Sequence, residues 1–124
     1  MMLAILKNPI ISAILAMLFY GTWAAFSNFD YGYSSSKNAF VIQGSFAFFS
    51  TLLSGHLALY LIQKLKGMPQ HLLLSYLIIV ILLFTVPFIL HSIFLTPNKL
   101  MSMAPGMIMG SAYIGIFLHL HSKT

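Results

Sequence analysis

The sequence predicts an all-α protein, a four-helix transmembrane bundle in which a single membrane domain covers residues 1–124. Two observations predict this fold class. Of the 124 residues, 60% are hydrophobic and 6% are charged, with a mean hydropathy of +0.95, whereas soluble domains carry roughly 25% charged residues. The apolar residues also form four long runs, each close to the roughly 20 residues that a helix needs to cross a bilayer.

The limits of the apolar runs define the four predicted spans. They cover residues 9–26, 39–63, 71–94 and 99–120. Asn8 is suited to cap the first helix, and Pro9 suits its first position, where the missing N–H would have no helical partner. The second span lies between Lys37 and Lys64, and cationic residues at the edges of an apolar run are typical of a membrane span. A polar loop is expected before it, over residues 27–38.

Prolines mark the limits of the third span and complicate the start of the fourth. Pro69 precedes the third span and Pro97 follows it, so neither interrupts the helix. A fourth span that began at Pro105 would have about 16 residues, which is short for a crossing. We therefore expect it to begin near Lys99 and to continue through Pro105, which leaves the carbonyl of Met101 without its helical partner. A re-entrant first turn is the alternative.

The lysines predict the orientation of the bundle. Four spans put both termini on one side, and the lysines expected on that side are Lys7, Lys64, Lys66 and Lys123. Lys37 and Lys99 lie on the other side, with the only acidic residue, Asp30. Because lysines concentrate in cytoplasmic loops, both termini are expected to be cytoplasmic. Lysine without arginine is typical of an AT-rich genome, so the expected location is a bacterial cytoplasmic (inner) membrane.

Small residues recur on two predicted helices, where they would let backbones approach closely. On the second helix their spacings of three and four place them on one face. The fourth helix contains a G-x-x-x-G pair and further small residues on a second face. The predicted packing residues are Gly44, Ala47, Thr51, Gly55, Ala58, Gly106, Gly110, Ser111 and Gly115. They would pack the helices of one chain or form the face of a homodimer.

Three polar residues, Gln43, Ser50 and Ser54, lie along the edge of the small face of the second helix. A substrate of a small transporter could pass beside such a polar edge. A carboxylate that exchanges protons against a cation is missing from every predicted span, and Asp30 belongs to a loop. Proton-coupled drug export is therefore disfavoured.

His56 and His119 form the candidate ligand pair. Helical rise places them at a similar depth on the second and fourth helices, and two such histidines can hold a b-type haem or a metal. The alternative is that His56 forms a hydrogen bond with a neighbour such as Ser45 or Tyr60, while His119 lies among lipid headgroups. We expect the alternative, and hence no cofactor and no metal.

The remaining function classes are narrowed by what the sequence lacks. It has no pair of intramembrane aspartates, no cysteine and no glycine-rich phosphate loop, so we expect no enzyme. Its lysines are spaced between apolar runs and form no basic stripe, so nucleic acid is not an expected partner. The leading hypothesis is a non-enzymatic accessory or assembly partner, in contact with membrane lipid and part of a homodimer or larger complex. The alternatives are a small transporter or lipid-linked-substrate permease subunit, and a b-type haem-binding subunit.

Overall fold

The computed structural model describes residues 8–122, and this part of the chain folds into four α-helices without any strand. The helices are α1 (Pro9–Ser27), α2 (Tyr33–Lys64), α3 (His71–Ile93) and α4 (Lys99–His121), with a 3₁₀ turn at Phe29–Tyr31. All four are long and apolar enough to cross a membrane. The predicted fold class is confirmed, and the chain is an integral membrane protein.

The first helix begins as the sequence predicts, whereas the second begins earlier. Asn8 Oδ1 accepts hydrogen bonds from the backbone N–H groups of Ile10 and Ile11, at 2.9 and 3.2 Å. Helix α2 begins at Tyr33, so the prediction of a loop was wrong for residues 33–38. The polar residues there mark the edge of the membrane, and the helix continues past that edge. Its 32 residues extend roughly 48 Å, well beyond a core of about 30 Å.

The fourth helix is continuous from Lys99 to His121, with Pro105 inside it. The predicted start near Lys99 is therefore confirmed. A proline in the second turn is tolerated in a membrane helix when the carbonyl that it leaves unpaired finds another donor.

Consecutive helices run antiparallel, and α1 and α3 lie at opposite corners of the bundle. α1 packs mainly on α2, and α3 packs mainly on α4. α2 and α4 also contact each other, whereas α1 and α3 do not touch within residues 8–122. The centre of the bundle is therefore formed by α2 and α4. We call the end with the α1–α2 and α3–α4 connections the Asp30 end, and the other end the Lys64 end.

Two glycines bring α1 and α2 into close contact. A Cβ atom built on Gly44 would lie 3.2 Å from Met17 Cγ, 3.3 Å from the Met17 carbonyl oxygen and 3.7 Å from Gly21 Cα. A Cβ atom built on Gly21 would lie 3.0 Å from the ring of Phe40. The absence of side chains at both positions is what allows the backbones to approach.

Alanine substitutions at two α2 glycines should have opposite consequences. Gly44→Ala should destabilise the protein by roughly 1–3 kcal/mol, because the backbone oxygen of Met17 cannot move aside as a side chain could. Gly55→Ala is the matched control: its Cβ would lie 3.7 Å from Phe117, an ordinary contact, and alanine favours the helix. Thermal unfolding in detergent micelles, followed by circular dichroism, measures both. Equal melting temperatures would contradict the close contact at Gly44.

Candidate functional site

A cavity of about 560 Å³ lies inside the bundle, between α1, α2 and α4, with Leu83 of α3 at its wall. Among the described residues, its wall contains no lysine, histidine or acidic side chain. The polar residues of its wall are Ser12, Tyr20, Gln43, Ser50, Thr51, Ser54 and Tyr113. The described part of the wall is therefore uncharged but rich in hydroxyl groups.

The cavity lies at the depth of the hydrocarbon core. On α2 its wall extends from Gln43 to Ser54, which is roughly 16 Å along the helix axis. Lys37 precedes this stretch by roughly 9 Å and Lys64 follows it by roughly 15 Å. Both lysines are exposed and suit the headgroup levels, so the α2 part of the wall lies between the two membrane surfaces. On α1 the wall extends to Pro9, the first residue of that helix.

The cavity opens sideways, toward the lipid. Thr51 of α2 is exposed although it lines the cavity. Met109 and Tyr113 of α4 also line it, and they are 52% and 53% exposed. A wall formed by residues that also face outward describes a lateral opening between helices.

The three residues of the predicted polar edge, Gln43, Ser50 and Ser54, all line the cavity. Passage of a substrate beside them stays a prediction. The predicted packing face of α2 has a mixed role, because Ala47 and Thr51 line the cavity as well. Ala58 instead belongs to the apolar core at the Lys64 end, with Leu61, Ile79, Ile114 and Leu118.

The glycine pair of α4 faces other helices of the same chain. A Cβ atom built on Gly106 would lie 3.4 Å from Gln43 Nε2, and one on Gly110 would lie 3.2 Å from Leu83 Cδ1. One on Gly115 would lie 3.5 Å from Tyr76, and Ser111 is half-buried. These contacts favour intramolecular packing for the G-x-x-x-G motif, and the homodimer stays a prediction.

The candidate ligand pair lies away from the cavity. The side chains of His56 and His119 are both exposed on the outside of the bundle, and neither lines the cavity. Within residues 8–122, no group of three or more His, Cys, Asp or Glu side chains could hold a metal ion. That His56 and His119 hold neither haem nor metal stays a prediction.

A buried histidine that the sequence analysis did not select joins α2 to α3. His91 is fully buried; its Nε2 lies 2.9 Å from Gln43 Oε1 and its Nδ1 lies 2.8 Å from Thr96 Oγ1. Because an amide oxygen can only accept, Nε2 carries the hydrogen and donates it to Gln43. Nδ1 of the neutral ring then accepts from the Thr96 hydroxyl. In this arrangement Gln43 Oε1 faces His91, and Nε2 of the same amide does not.

Asn28, also fully buried, joins the end of α1 to the start of α4. Its Nδ2 donates to the Ala24 carbonyl at 2.8 Å and to Ser102 Oγ at 2.7 Å. Its Oδ1 accepts from the backbone N–H of Asn98 at 2.8 Å, and Asn98 Nδ2 donates to the Ser27 carbonyl at 3.0 Å. These bonds satisfy backbone groups at two helix ends that have no partner within their own helix.

The carbonyl of Met101, which Pro105 leaves without its helical partner, accepts a hydrogen bond from Trp23 Nε1 at 2.8 Å. The sequence predicted that this carbonyl would need a donor, but not which residue would supply it. The Trp23 indole of α1 thus supplies the hydrogen bond that Pro105 cannot donate within α4.

Restoring a backbone N–H at position 105 should reduce the contribution of Trp23 to the stability of the protein. Trp23→Phe should cost roughly 1–3 kcal/mol of stability, because the Met101 carbonyl loses the indole N–H that replaces its helical donor. In a Pro105→Ala background the same substitution should cost less, since the N–H at position 105 can bond to the Met101 carbonyl. Free energies of unfolding of the four proteins, measured in mixed micelles, give the coupling; the loss of indole packing is common to both backgrounds and cancels. An identical cost in the two backgrounds would refute the pairing.

Comparison with known proteins gives no relative. No family model, curated protein sequence or solved structure matches this chain. The function is therefore inferred from the cavity and from the polar contacts around it.

Proposed function

We propose that this protein is a small permease subunit that accepts the uncharged, hydroxyl-bearing headgroup of a membrane lipid into the cavity between α1, α2 and α4. The observation that carries the proposal is the cavity itself: about 560 Å³ at hydrocarbon depth, with seven hydroxyl or amide side chains in its wall. This volume is sufficient for a headgroup such as a single sugar. The cavity is also the reason for preferring a permease to the accessory role that the sequence alone favours.

The chemistry of the wall supports an uncharged, multiply hydroxylated headgroup. Serine, threonine and tyrosine hydroxyls both donate and accept hydrogen bonds, as the hydroxyl groups of a sugar do. A phosphate or an ammonium group in this cavity would lose its hydration and find no opposite charge among the described residues, at a cost of several kcal/mol. An uncharged headgroup avoids that cost.

The start of α1 also supports the exclusion of anions. Pro9 lines the cavity, so the positive end of the α1 dipole is close by. Proline has no N–H, however, and the N–H groups of Ile10 and Ile11 donate to the Asn8 side chain. The N–H of Ser12 donates to the Asn8 carbonyl at 3.0 Å. With these donors engaged, no backbone N–H group of residues 9–12 is left for a phosphate.

The lateral opening supports the lipid as the source of the headgroup. Thr51, Met109 and Tyr113 form the exposed part of the wall, so the headgroup could enter while the acyl chains stay in the bilayer. The only acidic residue, Asp30, is exposed in the connection between α1 and α2 and does not line the cavity. The proposed movement is therefore passive, down a concentration gradient.

Transbilayer movement of a glycolipid tests the proposal. Proteoliposomes that contain monoglucosyl diacylglycerol, labelled with nitrobenzoxadiazole on one acyl chain, are treated with membrane-impermeant dithionite. Wild-type protein should raise the reducible fraction from about half toward all of the label, because the inner-leaflet lipid reaches the outside. Phosphatidylcholine with the same labelled chain should move no faster than in empty liposomes, since its charged headgroup is disfavoured in the cavity.

A pair of serine substitutions on α2 provides the control. Ser54→Phe places a ring in the cavity and should abolish the acceleration, whereas Ser45→Phe, at an exposed position of the same helix, should preserve it. Equal acceleration of both lipids, or none of the glycolipid, would refute the proposal.

We also propose that the bundle lies in a bacterial cytoplasmic membrane with both termini cytoplasmic. Lys64 and Lys66 lie at the Lys64 end, whereas Lys37 and Lys99 lie at the Asp30 end together with its acid. These four lysines divide equally between the two ends, so the orientation rests on the lysine count of the whole sequence, four against two. Two further lysines of the count, Lys7 and Lys123, lie outside the described residues.

A further inference from the structure

We infer that Gln43 recognises the headgroup by donating a hydrogen bond from its amide Nε2 to an acceptor oxygen, and that His91 and Thr96 are positioning residues that direct this donor into the cavity. The inference rests on the proposed function. It adds the recognising atom and the part of the ligand that this atom selects, a hydroxyl or ether oxygen.

The amide nitrogen of Gln43 is available to a ligand. Gln43 Oε1 is engaged by His91 at 2.9 Å, whereas Nε2 forms no hydrogen bond with any described residue. No buried side-chain nitrogen or oxygen atom among residues 8–122 lacks a partner, so Nε2 cannot be enclosed by protein. The side chain is only 2% exposed and lines the cavity. The accessible surface of Nε2 is therefore the cavity wall.

His91 contacts the Gln43 amide on the side away from the cavity and favours one orientation of it. A glutamine amide can turn by half a rotation and exchange its oxygen for its nitrogen. In the orientation that the structure shows, His91 donates from Nε2 to Oε1, and the Thr96 hydroxyl holds the His91 ring through Nδ1 at 2.8 Å. His91 is 0% and Thr96 7% exposed, so water does not compete for either bond. The donor is thus preorganised before a ligand arrives.

Gly106 leaves space for a ligand in front of Gln43 Nε2. Gly106 lines the cavity opposite Gln43, and a Cβ atom there would lie 3.4 Å from Nε2. Any larger side chain at position 106 would occupy the place of a ligand oxygen. The Tyr20 and Ser50 hydroxyls of the wall already donate within the protein, to Met109 Sδ and to the Ala47 carbonyl, whereas the Gln43 amide presents an N–H to the cavity. It therefore selects an acceptor.

The experiment compares two photoreactive probes on the full chain in nanodiscs. One is monoglucosyl diacylglycerol with a diazirine on an acyl chain, and the other is a diazirine-bearing alkane of equal chain length, which has no acceptor oxygen. Gln43→Met, similar in length but without a donor, should weaken apparent affinity for the glucosyl probe by roughly three- to tenfold. Labelling by the alkane should not change, and this readout would move if the variant were merely misfolded.

A matched pair at position 96 tests the positioning role and leaves Gln43 intact. Thr96→Val removes the hydroxyl that fixes the His91 ring, so the preference for the glucosyl probe over the alkane should fall. Thr96→Ser keeps the hydroxyl and should keep the preference. This pair also decides the matter if Gln43→Met does not fold.

The outcomes separate the inference from the function on which it rests. Equal affinity of the wild-type protein for both probes would overturn the proposed function and this inference together. A wild-type preference that survives in Gln43→Met, or that is the same in Thr96→Val and Thr96→Ser, would overturn the roles of Gln43, His91 and Thr96. The proposed function would then stand without them.

Discussion

The structure depends on the requirement that polar groups at membrane depth find their partners within the chain. Lipid tails offer no hydrogen bonds, so an unpaired carbonyl or amide costs several kcal/mol. The bundle meets this requirement with side chains from other helices: Trp23 supplies the donor that Pro105 lacks, and Asn28 satisfies the backbone at the end of α1 and the start of α4. Among residues 8–122, no buried side-chain nitrogen or oxygen lacks a partner.

The same physics explains how much of the fold could be predicted from the sequence. Hydrophobicity and helix length alone determine which segments cross a bilayer, so the four spans could be read from the apolar runs. The start of α2 was misplaced because a polar run such as residues 33–38 marks where the lipid ends, and a helix does not have to end there. Turn residues would be needed to stop it, and the nearest, Gly32, lies before the run, with φ +103°.

The candidate site was only partly predictable. Gln43, Ser50 and Ser54 could be selected because they interrupt an apolar helix on one face. His91 could not be distinguished from a residue among headgroups, because its partner Gln43 lies 48 positions away and sequence spacing contains no information on such a pairing. Asn28 lies in the loop where the sequence placed it, but its pairing was missed for the same reason: its partner Ser102 lies 74 positions away. Long-range polar pairs require the packed helices.

The positions of the hydrogen bonds between helices indicate at which end the helices can separate. The hydrogen bonds of Trp23, Asn28 and His91 join helices toward the Asp30 end, and a longer one, from the Tyr20 hydroxyl to Met109 Sδ, lies beside the cavity. The core at the Lys64 end is formed by apolar side chains such as Ala58, Ile79 and Ile114. In lipid, apolar packing is not reinforced by exclusion of water, so separation of the helices costs less there than breaking buried hydrogen bonds. We therefore expect a lipid headgroup to enter from the Lys64 half of the cavity, while the Asp30 half holds the recognising groups in place.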